Sequence, residues 1–475
     1  MKTTHSVLAQ FNLDNILKHA LQTGGEFAEL FYENTNSNQI FFENRRLDRV
    51  ISGTDAGIGL RIIYGKQSVY GYTTELTEAG LIELATTLSK VVGGKIANAG
   101  IISTSANPAK PKFIQKIQKD PSALALKDRM SFVERGDVAA WKTCKDIKQV
   151  NLGFVETFRQ IEIANTLGTL ARDTKQYLTY YAELVGERDG QTQTSYEAQG
   201  GYVGMELFDE HSPESIVQEA GRRLNVLLSA KPAPAGTMVV VLGAEAGGTM
   251  VHEAVGHGLE ADLACNGLSV YKDKIGTLVA SPLVNILDDG TMPGRRGSYA
   301  FDDEGTASRK NLLIENGILK AYMADTLSSI KFGIEKTGNG RRQSYRHKPI
   351  VRMTNTYLAS GKDNPAEILK STKQGLYVKS MGGGQVNTVT GDFVFAVTEG
   401  YLIRNGELAE AVKGATLAGN GPQVLQVVDK VGTDLGFAIG TCGKDGQGAP
   451  VTDAQPTIRI PEITVGGEVP LKTYF

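Results

Sequence analysis

The chain has 475 residues, 41% of them hydrophobic and 21% charged, and its 50 basic and 52 acidic side chains leave a net charge of −2. These values are typical of a globular protein with two domains, and they exclude a global attraction to nucleic acid or anionic lipid. No apolar run approaches the ~20 residues that a membrane-spanning helix needs, and the amino terminus lacks the apolar core of a signal peptide. Three widely spaced cysteines, Cys144, Cys265 and Cys442, indicate a reducing compartment, and we expect a cytoplasmic protein.

The first half of the chain predicts a mixture of helices and strands. Apolar residues recur at helical spacing in residues 8–22, 75–92, 122–145 and 212–229. Thr77 is the predicted N-cap of the second helix, and Gly93 and Gly94 end it. Strands are predicted at residues 26–33, 39–43 and 57–63, and the alternating pattern of residues 150–205 is typical of an antiparallel sheet.

The best domain boundary lies at residues 230–236, where two prolines stand among small residues. We therefore expect an α+β protein with an N-terminal mixed α/β domain, residues 1–229, and a C-terminal domain, residues 230–475, that is mainly antiparallel β. The second domain begins with a buried strand at residues 237–242. Its hairpins carry Asn316-Gly317 and Asn405-Gly406, the pair of residues that favours a two-residue type I′ turn.

A histidine-rich motif follows that buried strand. His252-Glu253-Ala254-Val255-Gly256-His257 supplies two imidazole donors and a carboxylate that can take a proton from a metal-activated water. Residues five apart on a regular helix differ by about 140° in azimuth, so the two rings would diverge. They can share one ion only if the helix widens locally, as in a π-bulge with its i to i+5 register. Gly256 is the residue best able to tolerate such a distortion.

The sequence leaves the third ligand open. Glu260, Asp262 and Cys265 follow the motif closely, and Cys442 lies far downstream between glycines. The two carboxylates, taken alone, are expected to be solvated residues at the helix end. Cys442, taken alone, is also expected to be a small hydrophobic residue in a turn, although the nearby Lys444 would favour its thiolate. If Cys265 and Cys442 both joined the histidines, the site would be a closed structural zinc tetrahedron, which has no use for an adjacent base.

These motifs together resemble the TldD branch of the TldD/PmbA metallopeptidases. The resemblance rests on the His-Glu-x-x-x-His motif and on the distant Gly-Thr-Cys-Gly-Lys around Cys442, and it extends through most of the second half. It implies a zinc ion held by His252, His257 and Cys442, with Glu253 as the base. It also implies a dimer, either of identical chains or with a TldE/PmbA-like paralogue that lacks the metal motif.

Four further residues are candidates for binding substrate. Arg341, Arg342 and the neighbouring His347 belong to a basic segment that could neutralise a carboxylate or stabilise an oxyanion. A solvated or interface-facing strand explains that segment equally well, and His347 alone is expected to be a structural hydrogen-bonding residue. Gly383 lies in a run of three glycines that could admit an extended peptide or simply make a turn.

The predicted function is zinc-dependent hydrolysis of peptide bonds in unfolded or short peptides, with Glu253 as general base. Two alternatives remain open. One is a zinc amidase that acts on a non-peptide amide, since the same chemistry serves any amide. The other is a regulator without catalysis, of the kind described as a modulator of DNA gyrase, which would act through protein contacts because the near-zero net charge argues against direct nucleic-acid binding.

Overall fold

A computed structural model describes residues 6–94, 100–103 and 109–474 of the chain. Its first half is built on a single antiparallel sheet. The strands are β1 (Phe27–Glu43), β2 (Arg46–Tyr64), β3 (Gln67–Thr73), β4 (Ile147–Asn165), β5 (Leu170–Arg188) and β6 (Gln191–Gly201). Within the described residues they pair in the order β3-β2-β1-β4-β5-β6. The antiparallel sheet expected over residues 150–205 is confirmed as β4, β5 and β6.

Helices pack on this sheet in two groups. They are α1 (Leu13–Ala20), α2 (Glu78–Val92), α3 (Leu126–Ala140), α4 (Leu207–Glu210) and α5 (Pro213–Ser229). One hydrophobic core lies under α1 and α2, and a second lies under α3 and α5. The four predicted helices are confirmed with shorter bounds. Thr77 caps α2 by accepting a hydrogen bond from the Gly80 amide at 3.1 Å, and Gly93 ends it with a φ of 61°.

The sequence predicts two separate strands at residues 26–33 and 39–43, but β1 is continuous across them. The intervening segment, residues 34–38, is polar and carries no alternation of apolar side chains. It is nevertheless extended, because its backbone pairs with β2 on one side and β4 on the other. Hydrogen bonding to two neighbours therefore extends a strand through residues whose side chains give no strand signal.

The second half is formed by shorter strands and small helices. The strands are β7 (Lys231–Pro232), β8 (Pro234–Leu242), β9 (Ile286–Asp289), β10 (Lys310–Glu315), β11 (Ile318–Leu319), β12 (Gly340–Arg341), β13 (Ile350–Val351), β14 (Asn355–Leu358), β15 (Gln374–Val386), β16 (Asp392–Arg404), β17 (Glu407–Lys413), β18 (Thr416–Asn420), β19 (Lys430–Val431), β20 (Gly436–Lys444), β21 (Gln447–Gln455), β22 (Ile458–Gly466) and β23 (Val469–Pro470). The helices are α6 (Thr249–Val251), α7 (Ala261–Ala264), α8 (Thr326–Phe332), α9 (Pro365–Lys370) and α10 (Gly421–Gln426).

Two sheets of this half matter for the site. In the described chain, β15-β8-β22-β18-β16-β17-β7 form the main path of the larger sheet, and β11-β10-β9-β14-β21-β20 form the smaller one. Most pairs are antiparallel, but β15 with β8, β17 with β7, β23 with β8 and β14 with β21 are parallel. Both predicted Asn-Gly turns are confirmed, since Asn316 and Asn405 have φ values of 48° and 52° at the β10–β11 and β16–β17 hairpins.

Buried ion pairs join the two halves of the chain. Arg61 on β2 lies 3.1 Å from Glu29 of β1 and 2.5 Å from Glu304 of the second half. Arg342 reaches the same Glu29 at 2.6 Å. All four side chains are almost inaccessible to solvent, so removal of one partner would leave an uncompensated charge buried between the two halves. Among the described residues, no helix has the length and apolar character that crossing a membrane requires.

Candidate metal centre

The histidine motif begins where β8 ends. A short turn at residues 244–246 leads through Gly247 and Gly248 into α6, and the helix continues into the motif. Gly247 has a φ of 67°, and a Cβ on it would overlap Ala438 of β20. A Cβ on Gly248 would overlap the backbone of Ala454 on β21. The two glycines therefore let the start of the helix lie directly against the β20–β21 hairpin.

The motif itself adopts the widened turn that its spacing predicts. Residues His252–Gly256 are π-helical, and the amide of His257 donates to the carbonyl of His252, which is an i to i+5 bond. The Tyr271 hydroxyl donates to the carbonyl of Ala254 inside the widened turn at 3.3 Å. The two imidazole rings lie with their centroids 5.0 Å apart and their planes at 88°. The predicted π-bulge is confirmed.

Gly256 has a different role from the predicted one. Its φ of −54° and ψ of −53° are available to any residue, so the bulge itself does not require glycine. A Cβ at this position would instead overlap the sulfur of Met353, which is fully buried beside it. Glycine is needed here for close packing rather than for backbone freedom.

Cys442 completes a group of three metal-ligand side chains. One ligand atom from each of His252, His257 and Cys442 lies within 4.8 Å of the other two, and all three residues are buried. The Cys442 sulfur is 3.3 Å from Nε2 of His257. Two imidazole nitrogens and one sulfur are a ligand set that suits Zn²⁺, and three protein ligands leave a fourth tetrahedral position for water or substrate.

Two carboxylates fix the orientation of the histidine rings. Asp453 of β21 lies 2.7 Å from Nδ1 of His252, and Glu260 lies 3.0 Å from Nδ1 of His257. With Nδ1 engaged in this way, Nε2 of each ring is the nitrogen left for a metal ion, which is the usual arrangement of a metal-ligating histidine. The expectation that Glu260 is solvated is wrong: it is 0% exposed and is the residue that precedes α7.

Sequence reasoning missed Asp453 altogether. The only signal for it is its place in the alternation of β21. Asp453 follows Ala449 and Val451 at two-residue spacing, so it lies on the same buried side of the strand. An acidic residue at an inward position of a strand needs a partner. Nothing in the local sequence says that this partner is His252, because 201 residues separate the two.

Lys444 does not contact the cysteine that it was expected to activate. Its ammonium group lies 3.0 Å from Glu260 and 2.7 Å from both carboxylate oxygens of Asp262. The imidazole rings act on Cys442 instead. Burial alone would raise the pKa of the thiol, but His252 and His257 outweigh it and lower that pKa to about 5. The two histidines therefore favour the thiolate form of Cys442, which is the form that binds a metal ion.

Glu253 stands beside the three ligand residues. Its carboxylate makes no hydrogen bond to any described residue, and burial raises its pKa above the usual glutamate value although the charges of His252 and His257 oppose this. A carboxylate without a protein partner is free to bind a water or a leaving group. A raised pKa suits a group that must accept a proton and then return it.

The structure does not gather the four predicted substrate residues at the metal group. Arg341 donates to the carbonyls of Met353 and Pro450. Arg342 is paired with Glu29 in the contact between the two halves, and with 2% of its surface exposed it is not available to a substrate. A basic strand facing an interface was the alternative interpretation for this segment, and the burial of Arg342 agrees with it.

The other two predicted substrate residues lie closer to solvent. His347 is half-buried, with Nδ1 3.0 Å from the hydroxyl of Ser344. Gly383 is exposed in β15 at a bulge, and its neighbour Gly384 leaves room for the ring of Phe395. Cys265 is half-buried against the hydrophobic core and does not belong to the metal-ligand group found in the described chain.

The fold and the site define a metallohydrolase-type protein in which distant segments converge on a His-His-Cys centre. Comparison with known proteins identifies the family. The chain matches PmbA/TldA metallopeptidase domain 1 over residues 28–92, the central domain over residues 119–228 and the C-terminal domain over residues 235–467. Domain 1 and the central domain contribute to one continuous sheet here, because β1 pairs with β4.

Named relatives support the same family assignment. The metalloprotease TldD homolog of Haemophilus influenzae is 37% identical over 474 residues, which covers 98% of each chain. The zinc metalloprotease TldD homolog of Saccharolobus solfataricus is 30% identical and covers 95% of this chain and 99% of its own. The chain belongs to the TldD/PmbA family and is a metallopeptidase.

Solved structures share the fold at lower identity. A Thermotoga maritima protein described as a candidate modulator of a DNA gyrase has a TM-score of 0.78 at 20% identity and covers 96% of this chain and 99% of its own. TldE from Thermococcus kodakarensis has a TM-score of 0.73 at 18% identity and covers 96% of this chain and 100% of its own.

Proposed function

We propose that this metallopeptidase is zinc-dependent and hydrolyses peptide bonds in unfolded or short peptides, with Glu253 as general base. The observation that carries the proposal is the convergence of His252, His257 and Cys442 beside a carboxylate that has no protein partner in the described chain. The relative from Saccharolobus solfataricus that is named a zinc metalloprotease supports the choice of metal.

The residues of the site have separate roles in the proposed reaction. His252, His257 and Cys442 would hold the ion, which when bound acts as a Lewis acid toward water and the scissile carbonyl. Glu253 accepts the proton of the attacking water and then donates it to the nitrogen of the leaving amine. Its raised pKa makes it a stronger base than a solvated glutamate, which favours the first of these transfers. Asp453 and Glu260 hold the two rings in the orientation that presents Nε2.

Free strand edges near the site support a peptide as substrate. In the described chain β20, which carries Cys442, pairs with β21 alone. Beyond Val378, β15 pairs with β16 alone, and β15 packs against the π-helical turn. An extended peptide can add to such an edge through backbone hydrogen bonds. Recognition of this kind selects for unfolded or short chains and is tolerant of side-chain sequence.

The decisive experiment is the Glu253→Gln variant, with cleavage of an unfolded peptide mixture and zinc content measured on the same preparation. We expect full zinc content and a loss of cleavage of about 10²- to 10⁴-fold, since that is the usual contribution of a general base. Glu245→Gln is the matched control, because Glu245 is exposed and lies eight residues earlier in the same segment. Unchanged cleavage by Glu253→Gln would show that Glu253 is not the general base. Wild-type protein that contains no zinc would contradict the proposed metal.

Two other functions are tested by the same variant. If the protein is a zinc amidase, the wild type should hydrolyse a non-peptide amide but no peptides, and Glu253→Gln should lose the amide hydrolysis. A regulator without catalysis would be unaffected by Glu253→Gln; this candidate is kept because the Thermotoga maritima neighbour is described as a candidate gyrase modulator.

We also propose that the protein works as a dimer, and the similarity to TldE makes a TldE/PmbA-like paralogue the natural partner. Light scattering of the chain alone and after mixing with such a paralogue distinguishes a homodimer from a heterodimer. A monomeric mass in both samples would contradict the proposal.

A further inference from the structure

Lys444 forms an ionic bridge between the two parts of the chain that meet at the metal centre. It lies two residues after Cys442 on β20, and its side chain is 8% exposed. The ammonium group lies 3.0 Å from Oε2 of Glu260, the same oxygen that lies 3.0 Å from Nδ1 of His257. It also contacts both oxygens of Asp262 at 2.7 Å.

We propose that Lys444 is a positioning residue of the metal centre, which acts through Glu260 to hold His257 in register with Cys442. This inference rests on the proposed zinc site and adds a residue to it. The two ligands are 185 residues apart in sequence, and each is attached to one end of the bridge. Cys442 is attached through the backbone of β20, and His257 is attached through its hydrogen bond to Glu260.

The surroundings of Glu260 explain why a cation is needed there. Glu260 is fully buried, and its other oxygen, Oε1, has no hydrogen-bond partner in the described chain. Asp262 brings a second negative charge to the same ammonium group. Without Lys444, the two carboxylates would repel each other in a region of low dielectric constant. A turn of Glu260 away from Asp262 would relieve that repulsion, and such a turn releases the ring of His257.

The carbonyl of Val351 limits how Lys444 can be replaced. It accepts a third hydrogen bond from the ammonium group at 3.1 Å, so the lysine is surrounded by acceptors on several sides. A compact point charge with three donors suits this geometry, whereas the flat guanidinium of arginine does not. The test therefore uses removal of the charge together with a compensating change, rather than a substitution by arginine.

The experiment compares Lys444→Met, Asp262→Asn and the double variant by zinc affinity, measured in competition with a chromophoric chelator. We expect Lys444→Met to weaken zinc binding about 10- to 100-fold, the usual effect of losing a group that orients a ligand. Asp262→Asn alone should have little effect, because the contact between Lys444 and Glu260 remains. The double variant should recover part of the loss, because the repulsion that turns Glu260 is then gone.

A second measurement reports on the ligands directly. In cobalt-substituted protein, the thiolate-to-cobalt charge-transfer band shows whether Cys442 still binds the ion, and the ligand-field bands show the geometry. We expect both to change in Lys444→Met and to return toward wild type in the double variant. Lys175→Met is the matched control, because Lys175 is equally buried and pairs with Asp303 at 3.3 Å in the contact between the two halves. Its zinc affinity and cobalt spectrum should be those of the wild type.

The outcomes separate this inference from the proposed function. Wild-type zinc affinity and an unchanged cobalt spectrum in Lys444→Met would overturn the positioning role while leaving the metal site intact. A wild-type protein that binds no zinc would overturn the proposed function itself. If Lys444→Met does not fold, the double variant is compared with Asp262→Asn alone: weaker zinc binding in the double variant supports the inference, and equal binding overturns it.

Discussion

Asp453 lies 2.7 Å from Nδ1 of His252, and it fixes which nitrogen of that ring faces the other ligands. The aspartate is on β21, and the hairpin formed by β20 and β21 also carries Cys442. One hairpin thus supplies a ligand of the proposed ion and the group that orients a second ligand. The position of this hairpin against the helix is therefore decisive for the site.

Asp453→Asn should weaken zinc binding by about tenfold or more, since the neutral amide holds the ring with less force than the carboxylate does. The affinity is measured by chelator competition. Asp289→Asn is a matched control, because Asp289 is 7% exposed against 8% for Asp453 and its carboxylate accepts hydrogen bonds from the amide and hydroxyl of Thr291. Equal zinc affinities for the two variants would contradict the orienting role.

The cysteines provide a second prediction. Cys442→Ser should lose zinc and peptide cleavage together, because a serine hydroxyl is a poor ligand for this ion. Cys265→Ser should leave both nearly intact, since Cys265 is not part of the metal-ligand group in the described chain. Elemental analysis and a peptide-digestion assay check both variants. Loss of zinc in Cys265→Ser would instead favour a closed structural site.

Local signals in the sequence were sufficient for the parts of the site that depend on neighbours in the chain. The five-residue spacing of His252 and His257 predicts the π-helical turn, because no regular helix brings the rings together. The Asn-Gly pairs predict their hairpins, because a type I′ turn requires positive φ at both positions. Each of these inferences needs only a few consecutive residues.

Contacts between distant segments could not be predicted in this way. The sequence predicts a solvated Glu260, since most charged side chains are exposed, and leaves Arg342 open between substrate binding and a solvated or interface-facing strand. Both are buried beside partners from other parts of the chain. The partner of Arg342, Glu29, is 313 residues away. Only the packed fold shows which charges meet.

Packing around Gly256 gives a third prediction. Gly256→Ala should destabilise the protein by about 1–3 kcal/mol, because the added methyl overlaps the buried sulfur of Met353. The free energy of unfolding is measured by urea denaturation. Gly443→Ala is the control, because Gly443 lies beside Cys442 but a Cβ there meets nothing within 4 Å.

A double-mutant cycle tests the cause of that effect. If the clash with Met353 is responsible, the double variant Gly256→Ala/Met353→Ala should lose less free energy of unfolding than the two single variants lose in sum. The expected difference is about 0.5–3 kcal/mol, the usual range for residues in contact. Additive costs would indicate that the alanine strains the π-helical turn itself.

The contact between α5 and β16 gives a prediction about acid stability. Arg222 donates to both carboxylate oxygens of Glu399, at 2.8 and 2.6 Å. Burial would raise the pKa of Glu399, but these hydrogen bonds and that of Tyr401 outweigh it and lower the pKa to about 2 from its ordinary value of 4.5. A depressed carboxyl pKa contributes stability above the pKa of the unfolded state, and this contribution is lost as the pH falls through the folded value. The window of loss is therefore between about pH 4.5 and pH 2.

Glu399→Gln should remove this contribution from the pH dependence. We expect the variant to be less stable than the wild type at neutral pH, and the difference between them to shrink as the pH falls from about 4.5 toward 2, because the wild-type carboxyl takes up its proton on unfolding across that range. Urea-unfolding midpoints measured at a series of pH values check this. Glu407→Gln, which changes an exposed glutamate on β17, is the control, and its unfolding midpoint should depend on pH as that of the wild type does. A constant difference between Glu399→Gln and the wild type across the whole acid range would mean that Glu399 titrates like a solvated glutamate despite its two hydrogen bonds to Arg222.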